Sequence, residues 1–193
     1  MKARNGKSTD YAFVTVWRVA ATADDVAELL SDPEGLTRWW PSVYLRVEQI
    51  QPGGDDGVGR TARLHTKGWL PYTLLWTLTV TEPITSDGFV IRATGDLDGT
   101  GRWTFRQDGP EVEITYDWRV SATKPLLRRL SWLLKPAFSA NHRWAMARGQ
   151  ESLALELRRR RAGTGPPSVP APPPPTFPRM AGRGRRMDWR VSD

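Results

Sequence analysis

Few side chains in this sequence of 193 residues could move a proton. The histidines are His65 and His142, and there is no cysteine. That excludes thiolate zinc sites, disulfides and cysteine nucleophiles, leaves too little for a histidine-built metal centre, and gives no Ser-His-acid triad to argue from. His142 follows Asn141 in "NHRWAMARG", Arg60 stands in "VGRTARL", and Tyr116 lies in "EVEITYDWRV". A histidine, an arginine and a tyrosine around one pocket could carry out proton transfer. A plainer alternative stays open, in which His142 satisfies backbone groups near Pro136 and Arg60 sits in water at a cavity mouth. "GTGRW" lacks the GK[ST] ending of a phosphate loop, and "DLDGTG" lacks the distal ligands of a calcium loop. No metal and no cofactor is expected.

Positioning such groups falls to a regular succession of elements. "YAFVTVWRVA", residues 11–20, is apolar and β-branched as a strand should be. Thr22 then opens "TADDVAELLSD", where Asp25 completes a capping box. Asp32 and Pro33 read as the cap and first position of a second short helix, "PEGLTRWW", stopped by Pro41. From Ser42 to Ala122 no helical period occurs, and turn signals at 52–57, 67, 86, 98 and 108 divide the stretch into about six strands. Alternation then fixes their faces. Leu74, Trp76, Leu78 and Val80 share one face, as do Phe89 and Ile91, Trp103 and Phe105, and Val112, Ile114, Tyr116, Trp118 and Val120. His65 has the opposite parity to Leu64 and points to solvent.

Helix closes the chain. Pro125 starts "PLLRRLSWLLK", with Leu127, Leu130 and Leu134 on one stripe, and Pro136 breaks the phase. Beyond it the inward stripe is His142, Ala145, Met146, Gly149, Leu153 and Leu157. A sheet with one apolar face needs a covering layer, and this helix is the one to supply it.

The formal charge of +7 suits an acidic partner. Residues 162–193 hold five arginines against Asp188 and Asp193, a net of +3, which leaves only +4 for residues 1–161. Half of the sixteen prolines also fall there, so 162–193 reads as a disordered Pro/Arg-rich tail with polyproline character, and 1–10 as a loose N-terminus. "RRRR" at 158–161 ends the last helix. Four consecutive arginines project in several directions and complement the negative helix end, so a solvated end is expected and nucleic acid is not. A basic Pro-rich tail could still bind phosphates or an anionic membrane without sequence preference. No apolar run is long enough to span a membrane, and "MKARNGKSTD" is polar where a signal peptide turns hydrophobic. A cytoplasmic protein is expected.

The order strand, two short helices, meander, long helix over residues 11–161 resembles the START-like, helix-grip superfamily, in its polyketide cyclase/dehydrase and lipid-transport branch. "ADDVAELLSDPEGLTRWWPSV" and "NHRWAMARGQESLALELRRR" carry the local resemblance. The resemblance implies an α+β fold, with an antiparallel, six- to seven-stranded curved sheet wrapped on the C-terminal helix. It also implies a cavity between them for an apolar or aromatic molecule that is polyketide-like, lipid or isoprenoid. Members include aromatase/cyclases, lipid and quinone binders, and proteins with no assigned reaction, so catalysis is left undecided.

On that layout Arg60, Trp76, Phe89, Trp103, Tyr116, Trp118, Asn141, Ala145 and Gly149 are the expected ligand contacts. His142 is the candidate acid or base. Ala145 and Gly149, being small, should leave space beneath the helix. The aromatics either wall that space or simply fill the core. Trp40, Trp69 and Tyr72 would stand at the entrance, where they gate a ligand, touch a membrane, or seal the short helices to the sheet.

Overall fold

The computed structural model describes residues 10–123, 125–162 and 169–176, with the backbone alone at 10 and 125–135. The expected loose N-terminus, the Leu127, Leu130 and Leu134 stripe, and most of the tail including "RGRR" at 183–186 lie outside what is described.

Strand β1, Asp10–Ala20, leads through Thr22 into helix α1, Ala23–Ser31. The capping box forms as the sequence predicts: Asp25 N–H donates to Thr22 Oγ1 at 3.2 Å, and Thr22 N–H donates to Asp25 Oδ2. Val26, Leu29 and Leu30 are buried by the amphipathic pattern. Helix α2 is shorter than expected, Leu36–Trp39. Asp32 does not cap it, because its carboxylate accepts from Glu34 N–H in a local turn that delays the helix to Leu36.

Six strands follow: β2 Tyr44–Gln51, β3 Thr61–Lys67, β4 Thr73–Val80, β5 Gly88–Gly95, β6 Leu97–Asp108 and β7 Glu111–Ala122. All pairings are antiparallel in the order β1-β7-β6-β5-β4-β3-β2, so β1 returns to pair with the last strand. The turn expected at Asp98-Gly99 is not there. Both residues lie inside β6, and the chain reverses at Gly95, whose φ of 113° suits only glycine. A dipeptide that signals a turn is here a strand segment, because Gly99 answers a packing demand: a Cβ on it would lie 2.0 Å from Arg119 O.

Helix α3, Pro125–Ala162, runs on through Pro136 and covers the inward face. Met146, Gly149, Leu153 and Leu157 are buried on its predicted stripe. The inward residues of the sheet match the alternation read from sequence, with Ala62, Leu64, Ile114 and Val112 almost wholly inaccessible. The result is an α+β helix-grip arrangement of seven strands and one long helix. Among the described residues no helix is long and apolar enough to cross a membrane.

Arg158, Arg160 and Arg161 are exposed, as expected of a solvated helix end, and the quartet also has partners. Arg159 pairs with the buried Glu156 and donates to Pro170 O at 3.1 Å, Arg160 pairs with Glu28 at 2.7 Å, and Arg161 donates to Ala20 O. Because α3 ends beside α1 and the end of β1, three of the four cations also find partners inside the domain. Glu156 also pairs with Arg38 of α2, so one buried carboxylate ties both short-helix and long-helix ends together.

Candidate functional site

Between the inward sheet face and α3 lies a cavity of about 200 Å³. A single water needs on the order of 10–15 Å³ on a comparable measure, so this is a compartment and not a packing flaw. Its wall is apolar and rich in aromatic rings.

Register explains that wall. Trp103 of β6 sits opposite Tyr116 of β7, and the two rings stack with centroids 3.9 Å apart and planes 16° apart. Tyr116 stacks in turn on Trp118 at 5.5 Å, and Trp118 meets Trp76 of β4 at 5.8 Å. From Trp103 the run continues to Trp17 at 5.6 Å, Trp40 at 5.6 Å and Trp39 at 5.5 Å. Seven rings therefore make one connected series from β4 to α2. Gly101 gives Tyr116 its room, since a Cβ there would lie 2.5 Å from the phenol oxygen. Trp76 Nε1–H is held by Thr66 Oγ1 at 3.0 Å, a buried hydrogen bond that fixes the indole.

Polar atoms punctuate this apolar lining. Burial pushes the Tyr44 and Tyr116 phenols upward, with the nearness of Tyr44 adding to the rise at Tyr116, and pushes Tyr72 up to about 12. All three are neutral hydroxyls at physiological pH. The His142 ring lies flat on Phe13, with Nε2 3.5 Å from Thr15 Oγ1. Burial, with the neighbouring Arg143 charge second, lowers the imidazole to about 4, so it is neutral as well. Arg60 reaches the lining from the segment before β3. Its Nη1 donates to Ser31 O at 2.7 Å and its Nε to Pro52 O at 3.1 Å. These carbonyls orient the guanidinium, and among the described residues no carboxylate pairs with it.

Arg60, Trp76, Phe89, Trp103, Tyr116, Trp118, Asn141, His142 and Ala145 all line the cavity, as do Trp40 and Tyr72. Two of the expected placements, Gly149 and Trp40, are not met, and Asn141 has a further duty. Asn141 Oδ1 accepts from Leu70 N–H at 3.1 Å and its amide fills the space beside Gly68, so it fastens the β3–β4 connection to α3. Gly149 leaves no space beneath the helix: the Trp40 indole occupies it, 2.3 Å from where a Cβ would stand, and Gly149 is absent from the lining. Trp40 is consequently a buried wall, 3% exposed, and not an entrance residue. Trp69 is 37% exposed on the β3–β4 connection and outside the lining, while Tyr72, edge-on to Phe138, is inside it.

Sequence reasoning missed Tyr44, Thr66, Thr15 and Gly101. Thr15 and Thr66 carry the correct inward parity, which could have found them. Tyr44 follows Pro41 at a strand start where parity has no anchor, and Gly101 was passed over as part of a failed phosphate loop.

A family model for polyketide cyclase/dehydrase and lipid transport matches residues 12–158. The chain belongs to that family. Solved structures agree on the fold at low identity. An aromatase/cyclase, Zhui, from Streptomyces sp. R1128 superposes with a TM-score of 0.63 at 18% identity, over 81% of this chain and 98% of that one. A START superfamily protein from Mycobacterium smegmatis gives 0.56 at 17%, over 77% and 97%. A STAR-related lipid transfer protein fragment from Xanthomonas axonopodis gives 0.51 at 18%, over 82% and 97%. No curated protein matches the sequence. Membership in the polyketide cyclase/dehydrase and lipid transport family thus spans nearly all of the unit from β1 to α3.

Proposed function

We propose that this protein binds an apolar or aromatic small molecule, polyketide-like, lipid or isoprenoid, between its sheet and α3. The observation that carries the reading is the union of an aromatic-rich cavity with neutral hydroxyl donors and one arginine whose charge meets no carboxylate among the described residues. Flat rings supply area and dispersion, and the few polar groups supply orientation. The ligand that fits carries a ring or chain for the wall and an oxygen function, carbonyl or carboxylate, for Arg60.

Within this reading His142 is a weak base and a neutral contact. A base with a pKa near 4 holds a proton poorly at neutral pH, and Thr15 and Phe13 confine its ring. Its role is a neutral hydrogen-bonding contact. The alternative, a basic module gripping nucleic acid or anionic membrane, loses support because three arginines of the quartet are already engaged.

Native mass spectrometry of protein from its producing cell, joined to a lipid and polyketide panel read by tryptophan emission, tests the proposal. A retained small molecule, or saturable quenching by one class, is the expected result. A bare mass and a flat panel would sink it.

A further inference from the structure

Residues 169–176, "VPAPPPPT", lie against the domain at both ends. Arg159 Nη2 donates to Pro170 O at 3.1 Å, and Thr176 Oγ1 donates to Gly68 O at 3.5 Å. Between these points Val169, Pro172 and Pro175 are half-buried, with Pro173 beside them, while Pro170, Ala171, Pro174 and Thr176 are exposed. Burial at every third residue is the signature of a polyproline helix laid on a surface by one edge, since that helix has three residues per turn. Such a segment loses little entropy on docking, because proline has already fixed its backbone.

What it docks on matters. Gly68 and Tyr72 of the β3–β4 connection line the cavity, while Trp69 of the same connection faces solvent. Residues 68–72 are therefore the layer that separates cavity from water on this side. Asn141 fastens that layer from α3 through Leu70 N–H. Thr176 fastens it again at Gly68 O, one residue from the Trp69 side chain.

We propose that residues 169–176 form an intramolecular strap that holds the β3–β4 connection closed and slows passage of ligand into and out of the cavity. The purpose assigned to the strap rests on the binding reading above; its mechanical role does not. Its two anchors are unequal. The Arg159 contact is shared with Glu156, whereas the Thr176 contact acts directly on the connection.

The test uses the full chain with Thr176→Val, which removes one hydroxyl at nearly constant shape, and a second variant, Pro172→Gly with Pro175→Gly, which loosens the docked edge. Amide exchange is read at Leu70 and Tyr72, with β6 and β7 as internal reference. Exchange at 70 and 72 should rise about fivefold or more in both variants while β6 and β7 stay as they are. Stopped-flow binding of the probe anilinonaphthalene sulfonate should show association and dissociation accelerating together, several-fold, with little change in Kd. Unchanged exchange in both variants overturns the strap. Faster exchange with unchanged probe kinetics overturns its control of passage. If the wild-type protein takes up no probe at all, the binding reading suffers, and exchange alone still decides whether the strap holds the connection.

Discussion

His142 and Phe13 lie ring on ring, 4.1 Å between centroids and 14° between planes, with Thr15 at the imidazole edge. Charging the ring there means stripping water from a cation that meets no carboxylate among the described residues. The folded-state value of about 4 lies below the ordinary 6.5, so the unfolded chain binds the proton more readily. The stabilising share of neutral His142 is complete above pH 6.5 and is lost as pH falls from there through about 4. Denaturant titrations across that window should show wild type losing on the order of 2–3 kcal/mol more than His142→Gln. Parallel pH profiles for the two proteins would refute the assignment.

Gly149 and Gly101 should resist enlargement for related reasons. Alanine at 149 meets the Trp40 indole at 2.3 Å, and that ring is itself held between Trp17, Trp39 and Tyr44. Alanine at 101 meets the Tyr116 phenol at 2.5 Å and the Trp118 ring at 2.8 Å. Each substitution should cost about 1–3 kcal/mol by overpacking, measured by chemical denaturation. Gly101→Ala should also shrink the compartment and weaken binding of bulky probes. Gly149→Ala presses on the lining residue Trp40 from behind and should affect stability first.

Glu156 is 1% exposed and serves both Arg38 and Arg159, which are partly in water. Losing one arginine leaves the carboxylate with the other. Losing both leaves a buried charge alone, a situation that costs several kcal/mol. The double variant Arg38→Ala with Arg159→Ala should therefore be destabilised by at least about 1 kcal/mol more than the sum of its single variants. Strict additivity in a thermodynamic cycle would show that the two contacts are independent.

Arg60 offers a charge to the cavity while its orientation comes from two backbone carbonyls. Arg60→Gln keeps hydrogen-bonding capacity and removes the charge. Affinity for a carboxylate-bearing probe should fall about tenfold, and affinity for a neutral aromatic of similar size should change little. Equal losses for both probes would make Arg60 a structural brace between α1 and the segment before β3.

Much of this architecture was legible because period-two alternation is a local property. Trp76, Trp103, Tyr116 and Trp118 could be assigned to one face from sequence alone, and the capping box at Thr22 and Asp25 is contained in four residues. The misreadings all depend on distant partners. Gly149 looked like vacant space because Trp40, which fills it, is far away in the chain. Asp98-Gly99 looked like a turn because the neighbour that demands glycine there is Arg119 on the next strand. The partners of the arginine quartet went unseen because Glu28 and Ala20 O meet it only after α1 and β1 are folded against the helix end. Asn141 shows the same limit, since its hold on Leu70 N–H crosses from α3 to the β3–β4 connection.

The seven stacked and tilted rings from Trp39 to Trp76 have an optical meaning besides a mechanical one. Indoles at such separations pass excitation among themselves faster than they emit. Light absorbed by Trp39, buried at the end of α2, can leave from Trp76 or Trp118 at the cavity wall. A molecule that settles against any one ring therefore dims the whole series, so the polypeptide carries its own occupancy gauge without a label.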